Sequence, residues 1–75
     1  VNALYANCGN ELKFTVPALG ADYKPSFSVS GGSHFAGGNI GDITIVPSGT
    51  EVAVTVSSNG SVIGTEKFKV RPVPK

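Results

Sequence analysis

Glycine and proline recur along this chain so closely that no long helix fits between them, ten of one and five of the other in 75 residues. A helix interior loses about 1 kcal/mol at each glycine and about 3 kcal/mol at each proline. Short segments remain, and several alternate apolar and polar residues with the period of a half-buried strand. Glu11 to Val16 sets Leu12, Phe14 and Val16 against Glu11, Lys13 and Thr15. Ser26 to Ser30 sets Phe27 and Val29 against three serines, and Asp42 to Val46 turns Ile43 and Ile45 inward. Glu51 to Ser57 is the clearest run, with Val52, Val54 and Val56 on one face. Glu66 to Arg71 repeats it, with Phe68 and Val70 inward and Lys67, Lys69 and Arg71 outward. Asn2 to Ala6 reads as an edge strand anchored by Leu4 or Tyr5.

The breaks between these runs carry turn chemistry. Asn59-Gly60 lies between two alternating runs and supplies the two positive φ angles of a type I′ hairpin. Pro47-Ser48-Gly49-Thr50 is a second tight turn, and Gly31-Gly32 and Gly37-Gly38 bracket a short strand over Ser33 to Ala36. About seven short antiparallel strands at near-regular spacing predict an all-β, immunoglobulin-like β-sandwich. Phe14, Val54 and Phe68 are the side chains whose truncation should do most damage to so thin a core.

Size and charge exclude several functions. The length allows one domain, over residues 1–71, with 72–75 opening a Pro-containing interdomain linker. The lack of an initiating Met suggests a piece of a longer protein. A net charge of +1 offers no basic face for nucleic acid, and no apolar run approaches the roughly 20 residues of a membrane-spanning helix. One cysteine, Cys8, leaves no internal disulfide framework.

Catalytic chemistry is expected to be absent. Cys8 and His34 could form a nucleophilic pair only if the fold joined them, and together they fall short of a zinc ligand set. Glu11, Asp22, Asp42, Glu51 and Glu66 are scattered singly, without the close carboxylate pair of a glycoside hydrolase. The glycines around Ser33 to Ala36 lack the Gly-Lys-Ser/Thr ending of a phosphate loop. We therefore expect no enzyme, no cofactor, no metal and no small-molecule substrate. Lys67, Lys69 and Arg71 form the one interaction stripe, either a solvated strand face that resists aggregation or a contact for an acidic neighbour.

Taken in order, Asn2-Ala3-Leu4-Tyr5, Asn10-Glu11-Leu12, Val16-Pro17, Ser28-Val29-Ser30-Gly31-Gly32 and Phe68-Lys69-Val70-Arg71-Pro72-Val73-Pro74 make a pattern. It resembles the third domain of the GldM/PorM family of the type IX secretion and gliding machinery, over essentially the whole chain. Glu11 stands where that family usually has proline, and Lys69 and Arg71 reverse its basic pair. The lone Cys8 tilts the resemblance toward a PorM-like member. The resemblance implies an immunoglobulin-type sandwich in the periplasmic part of a protein anchored in the inner membrane by an N-terminal helix. It also implies a homodimeric, force-transmitting shaft that couples an inner-membrane motor to an outer-membrane-associated ring.

The competing expectation is a tandem immunoglobulin-like repeat of a bacterial surface adhesin or carbohydrate-binding protein. That reading needs exposed aromatic platforms, for which Tyr5, Tyr23 and Phe35 are the candidates. In the shaft reading, the edge that meets a second copy or a neighbouring domain would be Asn2 to Ala6 or Lys67 to Arg71.

Overall fold

The computed structural model describes residues 3–74. Seven strands follow in chain order: β1 (Ala3–Tyr5), β2 (Asn10–Lys13), β3 (Pro25–Ser30), β4 (Gly32–Ala36), β5 (Asp42–Pro47), β6 (Glu51–Ser58) and β7 (Ser61–Arg71). A 3₁₀ segment, Pro17–Asp22, kinked at Gly20 (φ 52°), connects β2 to β3. Two sheets pack face to face, one ordered β1-β7-β6-β3 and the other β2-β5-β4. The division is that of an immunoglobulin sandwich, with the first strand placed beside the last instead of beside the second. All pairs are antiparallel except β1 with β7, which run parallel through Ala3↔Lys69, Leu4↔Val70 and Tyr5↔Arg71. The molecule measures 41 × 21 × 19 Å.

The core is the inward set of the alternating runs. Leu4, Ile43, Ile45, Val52, Val54, Val56 and Phe68 are buried together, and Leu12, Phe14, Phe27, Val29 and Val70 pack around them half-buried. β-Branched residues fill the two central strands, where their stiff side chains suit a pleated surface covered by the opposite sheet. Leu4, and not Tyr5, is the anchor of β1. Asn2 and Lys75 fall outside the described residues, and 72–74 take no regular structure.

Two stretches differ from the alternation. The run expected over Glu11 to Val16 leaves the ladder after Lys13. There Gly41, at φ +90°, turns the chain into β5 and its carbonyl takes the Phe14 N–H at 2.9 Å. Tyr23 then donates its hydroxyl to the Phe14 carbonyl at 2.8 Å, which fixes 14–16 as a strap across the sandwich mouth. Phe14 is consequently half-buried, stacked at a tilt on Phe27 with ring centroids 5.6 Å apart. The second difference is β7, which begins at Ser61, well before Glu66. Its register with β6 slips by one residue, pairing Val56 with Gly64 but Ser57 with Val62, so Ile63 is the extra residue of a bulge.

The turns follow their residues. Asn59 at φ 53° and Gly60 at φ 84° form the β6–β7 hairpin in the left-handed geometry a type I′ turn requires. Gly31, at φ +86°, lies so close to β6 that an added Cβ would sit 2.1 Å from the Glu51 carbonyl oxygen. Its own carbonyl accepts the Ser48 and Gly49 N–H groups at 2.9 and 3.1 Å, which ties the β3–β4 bend to the β5–β6 turn.

Candidate functional site

Lys67, Lys69 and Arg71 lie exposed along the outer face of β7. Across the ladder they meet Ala53, then Glu51 with Ala3, then Tyr5. Among the described residues the one ion pair lies elsewhere, between Lys13 and Asp42, so all three cations of the stripe remain unneutralised at salt-bridge distance. Tyr5 is 46 % exposed beside Arg71. Apart from Glu51 opposite Lys69, the rest of this outer face is short and uncharged, with Ser26, Ser28 and Ser30 on β3 and Ala53, Thr55 and Ser57 on β6. The stripe is thus a line of positive charge along one margin of a flat, hydroxyl-rich sheet.

Among the described residues that margin is only partly paired. Over Lys69 to Arg71, β7 is paired on both sides and is not the edge expected from its sequence; β1 holds that place. N-terminal to Lys69, no described residue pairs with the outer side of β7. Beneath this stretch a groove of ≈ 270 Å³ opens between the strand and the 14–16 strap, lined by Phe14, Val16, Tyr23, Val56, Ile63 and Glu66 among others. Glu66 pairs with the buried Val54 and so occupies a core-facing position, yet it is exposed, with no described strand covering it. Val62 and Ile63 are 69 % and 44 % exposed at the same edge. The doublet Val62-Ile63 before Gly64 breaks the alternation, and that break was the sequence sign of the bulge and of the longer strand.

Cys8 and His34 are not brought together across a shared strand pair. Cys8 is exposed in the turn between β1 and β2, its thiol 3.6 Å from the Tyr5 carbonyl it donates to. His34 lies exposed on β4, which β5 separates from β2. The aromatics proposed for stacking are also dispersed. Tyr23 is buried and its hydroxyl is engaged, while Tyr5 and Phe35 stand on different sheets. Burial pushes the Tyr23 phenol above its ordinary value.

Two polar clusters organise the remaining surface. The Lys13 ammonium donates to Asp42 at 2.9 Å, and the Asn39 N–H reaches the other carboxylate oxygen at 3.2 Å. The Lys13 hydrogen bond, against a smaller opposing desolvation, holds the Asp42 carboxyl below its ordinary value. Asn10 is a structural clasp. Its amide oxygen accepts the Tyr5 N–H at 2.9 Å, and its amide nitrogen lies 2.9, 3.0 and 3.2 Å from the carbonyls of Tyr5, Cys8 and Ile45. One side chain therefore joins β1, the following turn and β5. Among the described residues no cluster of His, Cys, Asp and Glu could hold a metal ion, and no helix is long and apolar enough to cross a membrane.

A family model described as the GldM third domain matches residues 1–71. No curated protein and no solved structure matches the chain.

Proposed function

Because the chain belongs to the GldM family, as its third domain, a component of the gliding and type IX secretion machinery, we propose that it is a force-transmitting spacer in a dimeric periplasmic shaft. In this reading the shaft is anchored in the inner membrane and couples the motor there to the outer-membrane-associated ring. On its lone Cys8 we place the chain on the PorM side of the family. The role is non-catalytic and needs no cofactor.

The observation that supports a spacer most directly is the parallel pairing of the first and last strands. A chain that enters along β1 and leaves along β7 keeps its heading, so such domains can be set in series without reversing. The dispersal of Tyr5, Tyr23 and Phe35 speaks against the adhesin or carbohydrate-binding alternative, which needs them on one platform.

The test is the mass and shape of the whole periplasmic region in solution, by light scattering with small-angle X-ray scattering. A dimer far longer than a globule of its mass is the expected result. A compact monomer would overturn the shaft and make a glycan-binding screen the next step.

A further inference from the structure

We propose that the side of the sandwich formed by β3 and β4 meets the same side of a second copy of this chain, the β3 of each copy pairing antiparallel with the partner's β4. The pairing rests on the dimeric-shaft reading, for which it supplies the face where the two chains meet.

Charge and burial set this side apart. Between Lys24 and Asp42 the chain has no Asp, Glu, Lys or Arg, and that stretch holds the whole of β3 and β4. Each is the terminal strand of its sheet, at the end away from β1 and β2, with no described strand beyond it. Edge strands are ordinarily kept from pairing by charged side chains. Glu11 and Lys13 on β2 and the cations of β7 are of that kind, and β3 and β4 carry none. The core is also left uncapped here. His34 and Ala36 stand opposite the buried Ile45 and Ile43 and so face the core, yet both are exposed. Phe27 and Val29, opposite the buried Val56 and Val54, are only half-buried. A groove of ≈ 370 Å³ opens between the two strands, lined by Pro25, Phe27, Ala36 and Ile40 among others, and Ile40 is 69 % exposed.

The backbone admits the same pairing. The Val70 N–H reaches the Thr50 carbonyl at 3.0 Å, so alternation turns Val52, Val54 and Val56 to β7 and Ala53, Thr55 and Ser57 to β3. Their partners Ser26, Ser28 and Ser30 thus spend their peptide groups on β6, while those of Phe27 and Val29 point to the open edge. On β4, the Gly37 N–H reaches the Asp42 carbonyl at 2.9 Å, which turns Ser33 and Phe35 to β5 and leaves the peptide groups of His34 and Ala36 pointing out. On both strands the open peptide groups therefore belong to core-facing residues. Setting Phe27 and Val29 against the partner's Ala36 and the partner's His34 keeps every such side chain on the core side and continues both sheets.

These features select a second copy as the occupant. A foreign strand would complete one edge and leave the other open. A copy turned by half a revolution about an axis along the strands presents β4 to β3 and β3 to β4, so both edges close together in one self-complementary contact. β3 runs toward the bend at Gly31 and β4 away from it, and Phe27 and Ala36 share one groove, so the two strands lie level and opposite in sense. Rotation about that axis keeps Phe27 level with the partner's Ala36 and makes each new contact antiparallel. It also leaves both chains with the same heading, as a shaft anchored at one end requires.

The test is disulfide trapping in the chain carrying Cys8→Ser. Ser28 and Phe35 are exposed on the outer faces of opposite sheets, so cysteines placed there cannot meet within one molecule. The pairing sets Ser28 opposite the partner's Phe35, within reach of a disulfide. A mixture of Ser28→Cys and Phe35→Cys chains, oxidised with a copper catalyst, should give a linked dimer, and neither variant alone should. Ala36→Glu alters a side chain that is exposed in the single chain, and it should slow the linking roughly tenfold or more by burying a charge in the joined core. Absence of a link in the mixture overturns the proposal. So does an equal link in Ser28→Cys alone, which would set β3 against β3, and so does linking that Ala36→Glu leaves unchanged. Trapping and scattering fail separately. A long periplasmic dimer whose chains do not link keeps the shaft and overturns this face, whereas linking beside a compact periplasmic monomer overturns the shaft and keeps the face.

Discussion

Asn10 shows how much of this small domain hangs on single side chains. Its amide serves both the carbonyl and the N–H of Tyr5, and also reaches Ile45 in the other sheet. Removing it orphans several backbone groups at once, so Asn10→Ala should cost about 1–3 kcal/mol, measured as a shift in the urea midpoint. Asn10→Asp should cost more than Asn10→Ala, because it sets a carboxylate against three carbonyls. Asp42 yields a prediction in pH. The fold holds its carboxyl below the ordinary value, chiefly through the hydrogen bond from Lys13. A depressed carboxylate contributes stability that is present above the unfolded value and fades as pH falls through the folded one. Asp42→Asn should therefore flatten the acid limb of stability below about pH 4, read from urea midpoints across that range. An unchanged acid limb would show that the ion pair contributes nothing.

At the scale of elements, the strands were legible wherever one face is dry. β3, β5 and β6 occupy nearly the bounds their alternation predicts, because a one-residue slip would expose Ile43, Ile45 or the three valines of β6. The hairpin was legible for a different reason, since only residues tolerant of positive φ can close it. What the sequence hid is set by tertiary contacts. Phe14 and Val16 alternate as strand residues, yet the paired stretch stops at Lys13↔Asp42, where Gly41 turns at φ +90° and Tyr23 takes the Phe14 carbonyl. The 3₁₀ segment, short and rich in small residues, leaves no periodic trace. The stripe of Lys67, Lys69 and Arg71 was visible as an alternation, but the pairing of Lys69 to Arg71 with β1 joins the two ends of the sequence, which no local pattern encodes.

The same distinction orders the core substitutions. Phe68→Ala, at a buried site, should cost about 3–5 kcal/mol and Val54→Ala about 2–3 kcal/mol. Phe14→Ala, at a half-buried one, should cost less than Phe68→Ala. Chemical denaturation of the three variants checks the order, and a cost at Phe14 equal to that at Phe68 would contradict the strap geometry.

For the whole molecule, the placement of β1 determines how the domain answers a pull. Tension applied between its two chain ends draws β1 and β7 past each other along their length, since the two run parallel. The hydrogen bonds between them then stand across the pull and must break together, in shear. A hairpin pulled from its open end would instead peel one bond at a time. The rupture force of the domain is thus concentrated in a patch of three paired residues, backed by the Ala6 N–H on the Arg71 carbonyl at 2.8 Å. Ala6→Pro deletes that bond, and single-molecule pulling should record a lower unfolding force, while chemical denaturation registers a loss of only about 1 kcal/mol. Mechanical strength and thermodynamic stability are separable in such a fold. A sandwich of modest stability can hold a tether taut provided its outermost short strand stays in place.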